Sequence, residues 1–242
     1  MDPAARPIAL FAALDEEARA LARHLPRAAT SSPHLSIWEG VIEATPVVLV
    51  VSGVGKVAAA LATQFVCDVY HPRCAITFGL AGATDSERQK GRLIVAIGAV
   101  QHDMDARPLT DAKGVMPSLG SAVFAADPKL AQGLHRAAQR VIDDPRVVSS
   151  GLVLTGDQIV TSRAVRDGLL RDFPEGLCID METAAIAQVA HQNSLPWGAL
   201  RMTSDSADES FNLDQVINFG INTAADLFDQ VIQAFLKDGQ WA

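Results

Sequence analysis

Short apolar runs alternate with helix-patterned stretches along almost the whole chain, and this alternation restricts the possible folds more than any other feature. The runs are continuous rather than striped. Gly151-Leu-Val-Leu154 has no polar member, as expected of a strand covered on both faces. The pattern predicts strands over 8–14, 35–43, 46–51, 74–79, 93–100, 147–154, 177–179 and 197–203. It predicts helices over 15–23, 57–70, 128–142, 163–171, 182–191 and 213–236. Strands separated by helices point to an α/β fold around a mostly parallel sheet. The stretch 110–120, rich in Gly, Pro and Lys, reads as the least ordered piece. With 242 residues and no linker, repeat or low-complexity tract, the chain reads as one domain spanning 1–242.

Composition narrows the partners. Twenty Lys+Arg against 28 Asp+Glu leave a net charge of −8, which argues against nucleic acid or an anionic membrane surface as partner. There is no run of apolar residues long enough to span a bilayer, and the start (MDPAARP) lacks the pattern of a secretory signal. Cys67, Cys74 and Cys178 form an odd set without a CxxC pair. A disulfide framework is therefore not expected, and a reducing cytoplasm is the expected location.

In such folds ligands collect beyond the carboxyl ends of the strands. Seven segments fall there: 15–17, 52–56, 80–83, 102–105, 156–160, 180–182 and 204–208, and five of them carry carboxylates. Ser52-Gly-Val-Gly-Lys56 looks like a phosphate loop, but Val57 stands where GxxxxGK[ST] needs a hydroxyl. A tight strand-to-helix turn remains, made either for packing or for close backbone approach to a ligand. His102-Asp103-Met104-Asp105 lacks a second His or Cys at ligand spacing, so a solvated strand end is favoured over a metal site. Asp180-Met181-Glu182 opens an Ala-rich helix. Glu182 there suits either a macrodipole role or a grip on sugar hydroxyls. Arg201-Met-Thr-Ser204-Asp205 closes the last strand, where a partly buried Asp205 can hold a proton and act as general acid, or simply cap a turn.

Taken in order, ALDEEARAL, SGVGKVAAA, GLAGA, TGDQIV, IDMETAAIAQVA and RMTSDSAD resemble the nucleoside phosphorylase/nucleosidase superfamily. The nearest likeness is to the 5′-methylthioadenosine/S-adenosylhomocysteine nucleosidases, over about residues 8–236. The resemblance implies a three-layer α/β/α sandwich with a mixed central sheet, a homodimer, and hydrolysis of an adenine N-glycosidic bond without metal or organic cofactor. By matching position, Glu17 would activate water and Asp205 would protonate purine N7, with Ser204 placing it. Glu182 would hold the ribose hydroxyls, assisted by Met181 and Arg201; Val160 would read the adenine edge and Ile159 cover its face; Val54 and Leu80 complete the expected contacts. The chemistry is coherent: adenine departs poorly as an anion, so an acid on N7 lowers the barrier, and carboxylates stabilise the cationic sugar that develops.

The sequence also departs from the family pattern. Leu80 stands where Ser is common, Ile159 where an aromatic residue is usual, and Asp180 where Glu is usual. Ala106 and Leu109 fall at the expected pocket for the 5′-substituent, with Phe211 or Leu213 covering it from the far side. Three other readings are a phosphate-dependent purine nucleoside phosphorylase, a futalosine-type hydrolase, and a non-catalytic binding protein on the same fold. A phosphorylase needs fixed cations for phosphate, and the Gly-Asp-Pro-x-Arg segment is absent. Trp38, Trp197 and Trp241 are read as packing residues.

Overall fold

A computed structural model describes residues 6–28, 32, 34–85 and 90–239. The first strand, β1 (Ile8–Ala12), is wholly buried and leads into α1 (Asp15–Ala22). An antiparallel pair follows, β2 (Ser36–Ile42) and β3 (Thr45–Val51), then α2 (Lys56–Tyr70). Next come β4 (Cys74–Ala83), β5 (Leu93–Gln101) and the short β6 (Val123–Ala125). Helix α3 (Pro128–Val141) starts where Asp127 accepts hydrogen bonds from the backbone N–H groups of Lys129 and Leu130 at 2.9 and 3.0 Å, with proline in the first helical position. The chain continues through β7 (Val148–Thr155), α4 (Arg163–Asp172), β8 (Gly176–Asp180), α5 (Thr183–Gln192) and β9 (Trp197–Asp205). It ends in α6 (Leu213–Phe219), a wider turn over Gly220–Ala224, and α7 (Ala225–Asp238).

The sheet is mixed, and helices cover it on both sides. Residues alternating along β1 divide the core: Ile8 and Leu10 face α1, α3 and α7, while Ala9 and Phe11 face α2 and α5. The expected sandwich needs one amendment. Strands run β2-β3-β1-β4-β8-β7-β5-β6, and β9 pairs with both β4 and β5. Strands β4, β8, β7, β5 and β9 therefore close a ring, and β9 has no free edge over its paired length.

Three further departures have local causes. Segment 80–83, expected beyond the end of the strand, continues β4, with a register shift against β9 between Ala81 and Gly82 and a short antiparallel pairing with β8. Its small residues allow the squeeze, since a Cβ on Gly82 would lie 3.0 Å from Ala207 Cβ. The expected single helix 213–236 is helical throughout but widens over Gly220–Ala224, a change that apolar spacing alone does not reveal. A Cβ on Gly220 would come 3.1 Å from Leu80 Cδ1. Stretch 110–120 is pinned rather than loose: Gly114 N–H donates to Met104 O at 2.7 Å and Met116 N–H to Ser121 O at 3.0 Å. Trp197 is buried and Trp38 half-buried beneath the Arg27 guanidinium, while Trp241 lies outside the described residues.

Candidate active site

Six of the seven strand-end segments converge on one cavity of about 290 Å³. Its wall holds Glu17, Val54, Leu80, Ile159, Val160, Met181, Glu182, Ser204 and Asp205. That accounts for nine of the ten residues singled out from sequence. The tenth, Arg201, lies behind the wall with its side chain 2% exposed. The seventh segment, 102–105, stays outside: Asp103 takes Lys56 Nζ at 2.7 Å and Asp157 N–H at 3.0 Å, and Asp105 pairs with Arg107.

Glu17 sits where β1 gives way to α1. Its carboxylate accepts the N–H groups of Ala13, Leu14 and Leu80 at 3.0, 3.1 and 2.8 Å. Burial raises its pKa, while these donors and Arg201 pull the other way. A buried carboxylate tuned upward and fixed by three donors has the character a general base needs. Glu182 caps α5 and accepts Gly55 N–H at 2.8 Å. The glycine turn 52–56 thus binds a carboxylate of the protein itself, using positive φ at Gly53 and Gly55. Burial first, then the charge of Asp180, pushes the Glu182 carboxyl up to about 8.

Asp205 leaves β9 between two donors, Ser204 Oγ at 2.8 Å to Oδ2 and Ala207 N–H at 2.8 Å to Oδ1. Burial nevertheless raises its pKa, which is the direction a general acid needs. Arg201 is held by Asp180 at 2.7 Å, by Thr183 Oγ1 at 2.9 Å and by Thr77 Oγ1 at 3.0 Å. It balances the acids from beneath the wall instead of lining the cavity. Phe211, Leu213, Val216 and Ile217 roof the cavity from α6 and the turn before it. Ala106 and Leu109, expected near the 5′-substituent, do not line it, and Leu109 is 82% exposed.

Residues 7–237 match the model of the phosphorylase superfamily. Over 207 residues the chain is 33% identical to a 5′-methylthioadenosine/S-adenosylhomocysteine nucleosidase of Anoxybacillus flavithermus, covering 85% of this chain and 88% of that one. The chain belongs to the phosphorylase superfamily, in the nucleosidase family of that relative. The nucleosidase of the same description from Bacillus subtilis is 30% identical over 93% of this chain and 98% of its own. The solved nucleosidase of Neisseria meningitidis, in complex with methylthio-immucillin-A, superposes with a TM-score of 0.89 at 31% identity, covering 96% of this chain and 99% of that one.

Sequence reasoning passed over several parts of this superfamily site. Thr77 and Thr183 fix the Arg201 guanidinium, and a threonine inside the apolar run 74–79 was a usable signal, since a buried hydroxyl needs a partner. Gly79 is a second: a Cβ there would lie 2.5 Å from Arg201 Nη1 and 2.7 Å from Glu17 Oε1. Asp180 was noted as a strand-end acid and a departure from pattern without a role of its own, yet its oxygens take Thr155 Oγ1, Thr183 N–H and Arg201.

Proposed function

We propose that this protein is a purine nucleosidase that hydrolyses the N-glycosidic bond of 5′-methylthioadenosine, S-adenosylhomocysteine or a related adenine nucleoside. One observation carries the reading: Glu17, Glu182 and Asp205 face a single cavity, and both Glu17 and Asp205 have pKa values raised by burial. Asp205 delivers a proton to purine N7 as the C–N bond breaks, so the base leaves neutral. Glu182 holds the ribose hydroxyls, and the Glu17 carboxylate stabilises the positive charge growing on the sugar. Glu17 takes a proton from the water that attacks the anomeric carbon, completing hydrolysis to free base and sugar. The Val160 backbone and Ile159 side chain receive the base, with Val54, Leu80 and Met181 closing around the sugar. Ser204 orients Asp205, and Arg201 acts through Asp180 and Glu17.

The cavity wall favours water over phosphate as the acceptor. Among the described residues its lining includes four acids, Glu17, Asp180, Glu182 and Asp205, and no Lys, Arg or His. A phosphate dianion in that field lacks the fixed cations it needs. The test is free-base release from a panel of 5′-methylthioadenosine, S-adenosylhomocysteine, adenosine and futalosine, with and without phosphate. Turnover that requires phosphate would refute hydrolysis, and base binding without turnover would favour a binding protein.

Three coarser expectations accompany this reading. The family match over residues 7–237 supports a single nucleosidase domain. A homodimer is supported by the apolar outer face of α2, where Val57 and Leu61, one helical turn apart, are 76% and 57% exposed. Val57→Asp should shift the mass measured by light scattering from dimer to monomer. Cytoplasmic residence is supported by three free, buried cysteines. Among the described residues no helix is long and apolar enough to cross a membrane.

A further inference from the structure

Helix α4 follows the base-facing loop at 156–160 and carries an arginine that is only 5% exposed. Burying a guanidinium is expensive unless it is paired and hydrogen-bonded. Arg166 Nη1 donates to the carbonyl oxygen of Ser206 at 3.0 Å and lies 3.9 Å from Asp208 Oδ2, while its Nε and Nη2 reach Asp167 Oδ1 at 3.2 and 3.1 Å. Arg163 supports the same segment: its N–H donates to Glu209 at 3.0 Å, and its guanidinium lies 3.6 Å from Asp208.

The Ser206 carbonyl and the Ala207 N–H are the two ends of one planar peptide unit. Arg166 holds the first end, and the second donates to Asp205 Oδ1 at 2.8 Å. Ala207 has φ +48°, a conformation that a residue with a side chain adopts at a cost, and it is 1% exposed against Gly82. The orientation of this peptide is therefore set from outside. Resting on the nucleosidase reading, we propose that Arg166 is a positioning residue for the reaction: by gripping the Ser206 carbonyl it aims the Ala207 N–H at Asp205 and fixes the direction in which that carboxyl hands over its proton.

The test compares Arg166→Met, Arg166→Gln and Arg166→Lys with the wild-type chain in adenine release from 5′-methylthioadenosine across pH, with melting curves alongside. The groups acting on Asp205 are the Ser204 hydroxyl, the Ala207 N–H and the charges of Asp208 and Lys90. An N–H donor favours the ionised carboxylate, so losing its aim makes the proton harder to remove. For Arg166→Met, kcat should fall by about tenfold or more, equivalent to about 1.4 kcal/mol, with KM within about threefold. The alkaline limb of the kcat profile should move to higher pH, and Arg166→Lys should recover part of both. A kcat within about twofold of wild type, or a loss with an unmoved alkaline limb, overturns the role. If the Met variant does not fold, the Gln and Lys variants decide on the same two readouts. A wild-type chain without turnover overturns the nucleosidase reading and this role together, whereas an active wild type with unchanged Arg166 variants overturns the role alone.

Discussion

Glu17 and Arg201 share the space above the Cα of Gly79, with Glu17 Oε1 2.7 Å and Arg201 Nη1 2.5 Å from where a Cβ would stand. Both side chains are fixed from elsewhere, Glu17 by three backbone donors and Arg201 by Asp180 and two threonines. The absence of a side chain at position 79 is thus part of the site.

Gly79→Ala is therefore expected to damage activity more than folding. Neither neighbour can swing into solvent, since Glu17 is 4% and Arg201 1% exposed. We expect kcat/KM to fall by about 100-fold, with a stability loss of about 1–3 kcal/mol from overpacking. Urea melts and initial rates on the same preparation measure both. An alanine variant with wild-type kcat would show that the carboxylate and guanidinium can separate freely.

Asp205→Asn and Glu17→Gln each remove one proposed proton-transfer group while keeping its shape. Each should lower kcat by about 100-fold or more. Circular dichroism should remain that of the wild type. Retention of more than about a tenth of kcat by either variant, a loss under roughly 1.4 kcal/mol, contradicts the assigned role.

Arg201→Met leaves Asp180 buried without its counter-charge, since the two side chains are 2% and 1% exposed. Removing one partner of such a pair costs about 3–5 kcal/mol. Chemical denaturation should show a midpoint displaced accordingly, with an unchanged slope. A displacement below about 1 kcal/mol would mean that water reaches Asp180.

Stability of the unliganded protein should fall as pH rises through the window set by Glu182. Its carboxyl titrates at 4.5 when free and at about 8 in the fold, chiefly through burial. Between those limits the folded state keeps a proton that the unfolded state has released, so stabilisation present below the lower limit drains away toward the upper one. Tm should decline across this range, and Glu182→Gln should flatten the decline. An opposite slope, or one the Gln variant leaves untouched, contradicts the direction given for Glu182.

Much of this was legible in the residues because it is local. Apolar runs ending in small residues marked strands such as β3 and β7 to within a residue or two, and helix starts such as Pro128 carry their own signals. Nine expected contacts face the cavity: strand order marked their segments, and the family resemblance picked the residues within them. What stayed hidden depends on partners far along the chain. The pairing of β9 with both β4 and β5 has no sequence periodicity of its own. Arg201 was expected as a contact from its matching position in the family, but its guanidinium is drawn behind the wall by Asp180, Thr183 and Thr77, all distant from it in the sequence. The wider turn joining α6 to α7 escaped because the apolar spacing runs through it.

Closure of the sheet through β9 also sets the order in which the molecule acquires its chemistry during synthesis. Glu17 leaves the ribosome early, but its counterpart on the last strand emerges only near the end, and the intervening strands wait for it to seal the circle. Pairings so distant along the chain are slow to form. A nascent chain stopped short of β9 is an open sheet with an exposed seam, prone to stick to its neighbours. A chain truncated before β9 is therefore expected to aggregate rather than to work slowly.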